Sequence, residues 1–147
     1  MAKPVLLDTG PLGRIAHPTA SPEIASWFTD LLRQGIEVVV PEIADYELRR
    51  NLILEGLKDS IKRLDDLGRH LRYLPLTTDH LKKAAELWAE ARKMGQPTAD
   101  DKALDGDVIL AAQALSIQGV VATENVGHLA RFCAAKNWKD VTPAVLA

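Results

Sequence analysis

Asp8 is placed where a carboxylate can take part in chemistry. It directly follows the apolar run Val5-Leu6-Leu7 and precedes the turn-forming residues Thr9-Gly10-Pro11. The run is typical of a buried strand in a parallel sheet, and such sheets bind their ligands at the carboxyl ends of the strands. Asp8 could equally cap a following helix that has Pro11 just inside it. Other carboxylates must decide between these two roles.

Apolar and turn patterns elsewhere predict the elements that would position such a site. Besides the first strand, short apolar runs predict strands at 36–40, 72–76, 120–122 and near Val141. Helical periodicity and capping residues predict helices at 21–34, 41–54, 57–71, 77–95, 107–115 and 128–136, with a polar loop at 96–106. Right-handed crossovers make such strands parallel. We expect one three-layer α/β domain over residues 1–147, with a central parallel sheet of four to five strands.

Such a sheet brings the loops after its strands to one edge. That edge would collect Asp8, the segment from Asp105 to Asp107 and the loop from Thr123 to Asn125. Carboxylates brought together repel one another and raise each other's pKa unless a cation neutralises them. Because no cysteine or histidine cluster accompanies these oxygen ligands, the expected ion is Mg²⁺ or Mn²⁺ rather than zinc.

Four segments carry a more specific pattern over nearly the whole chain. They are Leu6 to Thr9, Pro41 to Arg49, Asp107 to Leu115 and Val120 to Asn125. In this order they resemble the PIN-domain ribonucleases, whose many small members include the toxins of type II toxin–antitoxin pairs. The resemblance implies that Asp8, Glu47 and Asp107 are metal-binding catalytic residues.

The resemblance also implies an activity and partners. A bound Mg²⁺ or Mn²⁺ ion would activate water for in-line attack on a phosphodiester, so that no protein nucleophile is needed. The expected substrate is single-stranded or looped RNA, cut to leave a 5′-phosphate and a 3′-hydroxyl. The expected protein partners are a small cognate antitoxin and a second PIN subunit, as a homodimer.

The fourth metal-binding position departs from the commonest family pattern. Family members usually carry Asp, or often Asn, two residues after the Thr of the late strand, and this chain has Asn125. Asn can coordinate a metal but adds no charge, which favours one tightly held ion over two. Asp105 or Glu124 could compensate as a site residue. Alternatively, Asp105 caps a helix and Glu124 is a solvated loop residue.

Three further candidates also have structural alternatives. Glu47 lies midway along an amphipathic helix, where a Glu is ordinarily exposed, and only the resemblance distinguishes it from Glu42 and Asp45. Thr9 and Thr123 could orient an acid or a water around the metal. Both could equally be hydroxyls that bond to the backbone at strand ends.

Charge and composition limit the remaining possibilities. The formal charge of −2 does not by itself indicate a nucleic-acid binder, so RNA contacts would fall to local cations, of which Arg14, Arg49 and Arg50 are nearest in sequence. Surface arginines are, however, usually only solvated. The single cysteine, Cys133, excludes an internal disulfide and is expected to be a buried helical filler. No apolar stretch approaches the roughly 20 residues of a membrane span, so we expect a cytoplasmic protein.

Other functional classes fit less well. Haloacid-dehalogenase phosphatases need a second Asp where Gly10 stands, and receiver-type phosphotransfer domains need an acidic pair that is not seen. A catalytically weakened PIN-like scaffold that binds RNA or protein is compatible with Asn125, although the retained acids argue against it. The four histidines lack a surrounding motif and are expected at the surface: His17, His70, His80 and His128.

Overall fold

A five-stranded parallel sheet lies at the centre of the part of the chain that the structure describes. The structure, a computed structural model, describes residues 1–95 and 101–147. The strands are β1 (Val5–Leu7), β2 (Val38–Pro41), β3 (Arg72–Leu74), β4 (Val120–Thr123) and β5 (Ala135–Asn137). Their order across the sheet is β3-β2-β1-β4-β5, and each neighbouring pair is parallel. The predicted α/β fold with a parallel sheet is therefore confirmed.

Helices cover both faces of this sheet. They are α1 (Thr9–Ala16), α2 (Pro22–Arg33), α3 (Glu42–Glu55), α4 (Lys58–His70), α5 (Thr78–Lys93), α6 (Asp101–Ser116), α7 (Val126–Leu129) and α8 (Pro143–Leu146). Alternate strand residues point to opposite faces. Val5 and Leu7 therefore pack against α1 to α4, while Leu6 packs against α6 and α7. None of the described helices is long and apolar enough to cross a membrane.

The central strands lie deepest in the molecule and fix the edge on which the site is built. All three residues of β1 are completely buried, which explains their unbroken apolar run. Gly119 enters β4 beside this strand, and a Cβ on it would lie only 2.3 Å from Cδ1 of Leu6. The glycine thus allows β4 to approach β1 closely. As a result, the carboxyl ends of β1 and β4 are direct neighbours.

Helix α6 begins earlier than the sequence pattern predicts. We expected a polar loop over 96–106 and a helix from Asp107, but α6 already begins at Asp101. Residues 96–100 lie outside the described part of the chain. Gly106, which indicated a turn, lies inside the helix, and a Cβ on it would lie 2.9 Å from Oε1 of Glu47. This glycine serves close packing against α3 rather than chain reversal.

The C-terminal elements also differ from expectation. The helix predicted over 128–136 is wrong: α7 ends at Leu129, and β5 pairs with β4 at residues 135–137. Cys133 therefore lies between α7 and β5 and not in a helix. The edge strand predicted near Val141 is misplaced: the edge strand is β5, at 135–137, and Val141 is a buried core residue that follows a 3-10 turn. β5 has the sequence Ala-Lys-Asn, which lacks the β-branched residues that indicate a strand.

One histidine that we expected at the surface is buried. His80 is 6% exposed and completes a capping box with Thr77 at the start of α5. Its Nδ1 accepts a hydrogen bond from the Thr77 backbone N–H at 3.1 Å, and its Nε2 lies 2.9 Å from the Ser116 hydroxyl. His80 therefore ties the beginning of α5 to the end of α6.

Candidate active site

Asp8 lies at the carboxyl end of β1 and has both of its carboxylate oxygens held. Oδ1 accepts a hydrogen bond from the Thr9 backbone N–H at 2.7 Å, which makes Asp8 the N-cap of α1. Oδ2 accepts a bond from the Thr123 hydroxyl at 2.8 Å. The predicted cap is therefore confirmed, and it fixes the carboxylate in one orientation at the sheet edge without excluding a catalytic role.

Thr123 connects Asp8 to the loop that follows β4. It is completely buried, and its hydroxyl accepts a hydrogen bond from the Asn125 backbone N–H at 3.0 Å while donating to Asp8. One hydroxyl thus orients both the carboxylate of β1 and the backbone of the neighbouring loop. Thr9 takes part through its backbone N–H.

Glu47 reaches the same edge from α3, and Asp107 reaches it from α6. The Glu47 carboxylate lies against Gly106, the residue before Asp107, where even a methyl group would crowd it. This contact brings α3 and α6 together at the sheet edge. Glu47 is not the ordinary exposed helical Glu that its sequence position suggests, because its side chain is half-buried there.

Burial and mutual repulsion raise the pKa of two of these carboxyl groups. For Glu47, burial raises the pKa most; the charge of Asp8 raises it further, Arg50 lowers it, and Asp107 adds a smaller increase. For Asp107, burial again contributes most, followed by the charge of Asp8, while His128 lowers the pKa. Asp8, Glu47 and Asp107 are therefore close enough to feel each other's charge. We call these three residues the acidic cluster.

His128 is a neighbour of the acidic cluster that the sequence analysis missed. Its Nδ1 is buried without a hydrogen-bond partner, and its ring is near enough to Asp107 to lower the pKa of that residue. His128 is thus half-buried beside the acidic cluster and only partly the surface residue that we expected. The available signal was its position, three residues after Asn125, since residues at this spacing share one side of a helical turn.

The three arginines proposed as RNA contacts have different surroundings. Arg14 forms an ion pair with Glu124. Arg50 lies over the Tyr46 ring, 5.3 Å from its centroid, and is the cation that lowers the pKa of Glu47. Arg49 forms ion pairs with Asp45 and with Asp65, each at 2.8 Å. Arg14 and Arg50 thus border the site, whereas Arg49 already has two structural partners.

The remaining candidates for metal binding are less enclosed. Asp105 is exposed and lies inside α6, so the proposed helix cap is wrong. Residues two positions apart on a helix do not share a face, so Asp105 and Asp107 point in different directions. Asn125 is also exposed. Within the described residues, no three His, Cys, Asp or Glu side chains form a group that could hold a metal ion by themselves.

Comparison with known proteins identifies the family. The sequence profile of the PIN domain matches residues 5–133. The chain belongs to the PIN domain family. The matched region contains the whole acidic cluster together with Asn125 and His128, and PIN domains are generally nucleases. No curated protein sequence matches the chain significantly.

Solved structures that are similar to this chain include VapBC and FitAB toxin–antitoxin complexes. VapBC2 of Rickettsia felis, bound to a promoter DNA fragment, has a TM-score of 0.74 at 16% identity, covering 91% of this chain and 98% of that one. FitAcB of Neisseria gonorrhoeae has a TM-score of 0.70 at 22% identity, covering 93% and 99%. VapBC-1 of nontypeable Haemophilus influenzae has a TM-score of 0.69 at 19% identity, covering 92% and 98%. At these identities the likeness establishes the fold.

Proposed function

We propose that this PIN domain is a metal-dependent endoribonuclease and the toxin of a toxin–antitoxin pair. The observation that carries the proposal is the acidic cluster: carboxylates from the end of β1, from α3 and from α6 lie at one sheet edge, where burial and the charge of Asp8 raise the pKa of Glu47 and Asp107. Folding alone does not favour such repulsion, so a cationic partner is needed to explain it. Membership of a nuclease family supports the same conclusion.

The available ligands fit Mg²⁺ or Mn²⁺. These ions prefer oxygen ligands, and Mg²⁺ usually keeps several waters while binding only one or two protein carboxylates. Asp8 and Asp107, with the amide oxygen of Asn125, would hold the ion.

The side chains of the site then divide the reaction between them. A bound ion would neutralise the negative charge that develops on the scissile phosphate. Thr123 and the Thr9 N–H keep the Asp8 carboxylate oriented. Glu47, which lies near Asp8 and Asp107 at the same edge, would accept the proton of the attacking water as the general base. Attack in line with the leaving 3′-oxygen leaves a 5′-phosphate and a 3′-hydroxyl.

We extend the proposal to two protein partners, a small cognate antitoxin and a second copy of the chain. The support for the antitoxin is that structures with this fold were solved as toxin–antitoxin complexes, and the fold covers nearly their whole length. The test is co-expression with a small reading frame taken from the neighbourhood of this gene. We expect a stable complex in which the partner inhibits RNA cleavage. Full RNA cleavage by the co-expressed proteins would contradict this part of the proposal.

The decisive experiment is cleavage of a labelled single-stranded RNA pool by the purified protein with Mg²⁺ or Mn²⁺ and with EDTA. Asp8→Asn and Asp107→Asn are the test variants, and Asp105→Asn is the matched control because it makes the same change two residues from Asp107. We expect cutting that EDTA and both test variants abolish and that the control retains. The products should carry 5′-phosphates.

Two outcomes would contradict the proposal in different ways. Cutting that survives in Asp8→Asn and Asp107→Asn would exclude the acidic cluster as the catalytic site. RNA binding without cutting under any condition would support the alternative of a PIN-like binding scaffold, for which the uncharged Asn125 is the favouring observation.

A further inference from the structure

A polar groove lies beside the acidic cluster, on the α1 side. Its volume is about 490 Å³, and its lining includes Gly10, Arg14, His17, Thr19 and Glu124. The groove begins two residues after Asp8 in the chain. It also includes Glu124, the residue after Thr123, and the Thr123 hydroxyl donates a hydrogen bond to Asp8. The lining of the groove thus starts within two residues of Asp8 and one residue of Thr123, next to the edge where the scissile phosphate is proposed to bind.

Glu124 occupies a position in this groove that suits an anion. Its carboxylate forms an ion pair with Arg14 and lies against the first turn of α1, where a Cβ on Gly10 would be 3.1 Å from Oε2. The Arg14 guanidinium, a group that attracts phosphates, thus contacts the Glu124 carboxylate within this groove.

The ion pair is exposed enough to open. The Arg14 side chain is 54% exposed and that of Glu124 is 35% exposed. Exposed ion pairs contribute little net free energy. A phosphate, which forms strong two-pronged contacts with arginine, can therefore replace the carboxylate. Glu124 follows the end of β4 in a loop, so its side chain can turn away without disturbing the sheet.

We infer that this groove is a subsite for an RNA phosphate next to the scissile one, and that the phosphate displaces Glu124 from Arg14. The inference rests on the proposed nuclease function and adds a binding device to it. Glu124 acts as a competitor that occupies Arg14 until substrate arrives. Arg14 makes the phosphate contact, and Gly10 leaves room for either anion.

The test is a double-mutant cycle with Glu124→Gln, Arg14→Gln and the double variant, using a labelled single-stranded RNA. We would measure kcat and KM with Mg²⁺, and Kd in EDTA at several KCl concentrations. Glu124→Gln should lower KM and Kd about two- to five-fold, the range of an exposed ion pair, with kcat unchanged. Arg14→Gln should raise both and reduce the slope of log Kd against log salt by about 0.7, one phosphate contact to a single strand.

The double variant separates a specific competitor from a general negative charge. If Glu124 acts through Arg14, Glu124→Gln should gain almost nothing once Arg14 is replaced. Glu37→Gln and Arg72→Gln are the matched controls, because this pair is similarly exposed but lies at the start of β2 and at β3, away from the site. Both controls should leave KM within a factor of about 1.5, since single surface charges act weakly.

Two results would overturn the inference alone. In the first, Glu124→Gln lowers KM and Kd equally in the parent protein and in the Arg14→Gln variant. In the second, Arg14→Gln leaves KM and the salt slope of Kd unchanged. Both results count only if the proteins still cut RNA. An RNA that the unaltered protein neither binds nor cuts would instead overturn the proposed nuclease function, and this inference with it.

Discussion

Two carboxylates on α3, only two residues apart, have opposite surroundings. Asp45 is 7% exposed, yet it accepts hydrogen bonds from Nε of Arg49 at 2.8 Å and from the Tyr73 hydroxyl at 2.9 Å. Glu47 faces Asp8 and Asp107, and its pKa is raised by burial and by their charges. On the same helix, the negative charge of Asp45 is therefore balanced by its partners, whereas that of Glu47 is poorly balanced.

The difference indicates which carboxylate serves the fold and which serves chemistry. A buried charge with a cation and a hydroxyl around it is an ordinary way to satisfy a polar side chain inside a protein. A carboxylate among other carboxylates is unfavourable for folding, so its retention points to a functional requirement. Asp45 holds α3 against α4 and β3 through Arg49, Asp65 and Tyr73, whereas Glu47 lies with Asp8 and Asp107 in the acidic cluster and fits the proposed catalytic role.

The largest expected effect is the loss of activity in Glu47→Gln. If Glu47 accepts the proton of the attacking water, kcat should fall by about 100-fold or more, the range for a general base, while the protein stays folded. The measurement is single-turnover cleavage of RNA with Mg²⁺. Glu55→Gln, at the exposed end of the same helix, is the control and should keep full activity. A Glu47→Gln variant as active as this control would remove Glu47 from the mechanism.

The reciprocal change, Asp45→Asn, should affect folding instead. The substitution removes the negative charge that Arg49 and Tyr73 contact, and Arg49 is left with Asp65 alone. Breaking a buried, hydrogen-bonded ion pair in this way costs about 3 kcal/mol. Urea unfolding would measure this loss. Asp66→Asn, which breaks an exposed pair with Arg69, should cost about 0.5 kcal/mol or less. Below the unfolding transition, the Asp45→Asn variant should still cut RNA at close to the normal rate; a large fall in kcat would place Asp45 in the site.

The sequence predicts the local parts of this arrangement well. A short apolar strand that ends in Asp8 is visible in a few residues, and its position at the sheet edge follows from the rules for parallel sheets. The same is true of Thr123, because it follows the apolar run of β4 directly. These predictions needed only the order of residues along one strand.

Features that depend on contacts between distant helices could not be predicted in this way. The pairing of Asp45 with Arg49, four residues later on α3, can be read from the sequence. The proximity of Glu47 to Asp8 and Asp107 cannot, because it depends on how α3 packs against β1 and α6. Gly106 indicates a turn in the sequence, but it actually leaves space for the Glu47 carboxylate. His128 has no local motif, and its relation to Asp107 exists only after α6 and α7 have packed together.

A smaller effect is expected from Tyr73→Phe, which removes one hydrogen bond to Asp45 and changes nothing else. The Tyr73 pKa is raised, first by burial and then by the bond to Asp45, so the hydroxyl keeps its proton and donates. Losing a bond to a charged acceptor should cost about 1.5 kcal/mol in urea unfolding. Full nuclease activity should remain. Unchanged stability would mean that Arg49 alone satisfies Asp45.

The smallest predicted effect is a gain in stability when charge is removed from the acidic cluster. Burial and like charges raise the folded-state pKa of Glu47 and Asp107 above the ordinary values of 4.5 and 3.8. As the pH rises through those ordinary values, the unfolded chain loses its protons first, so ionisation penalises the folded state. Above the raised pKa values the penalty is complete. In EDTA at pH 7, Glu47→Gln and Asp107→Asn should therefore each raise Tm by roughly 3 °C, for about 1 kcal/mol.

The pH dependence distinguishes this charge effect from better packing of an amide. A charge effect must disappear below the ordinary pKa values, because both carboxyl groups are then protonated in the folded and unfolded states alike. A packing effect would persist there. Thermal unfolding of the parent and both variants in EDTA from pH 3 to pH 8 makes the distinction.

A cation that binds the folded cluster should also stabilise the parent more than either variant. Adding Mn²⁺ should therefore reduce or reverse the difference in Tm between the variants and the parent. If the parent is the most stable protein in EDTA at pH 7, repulsion does not dominate the cluster, and the main argument for a metal there fails.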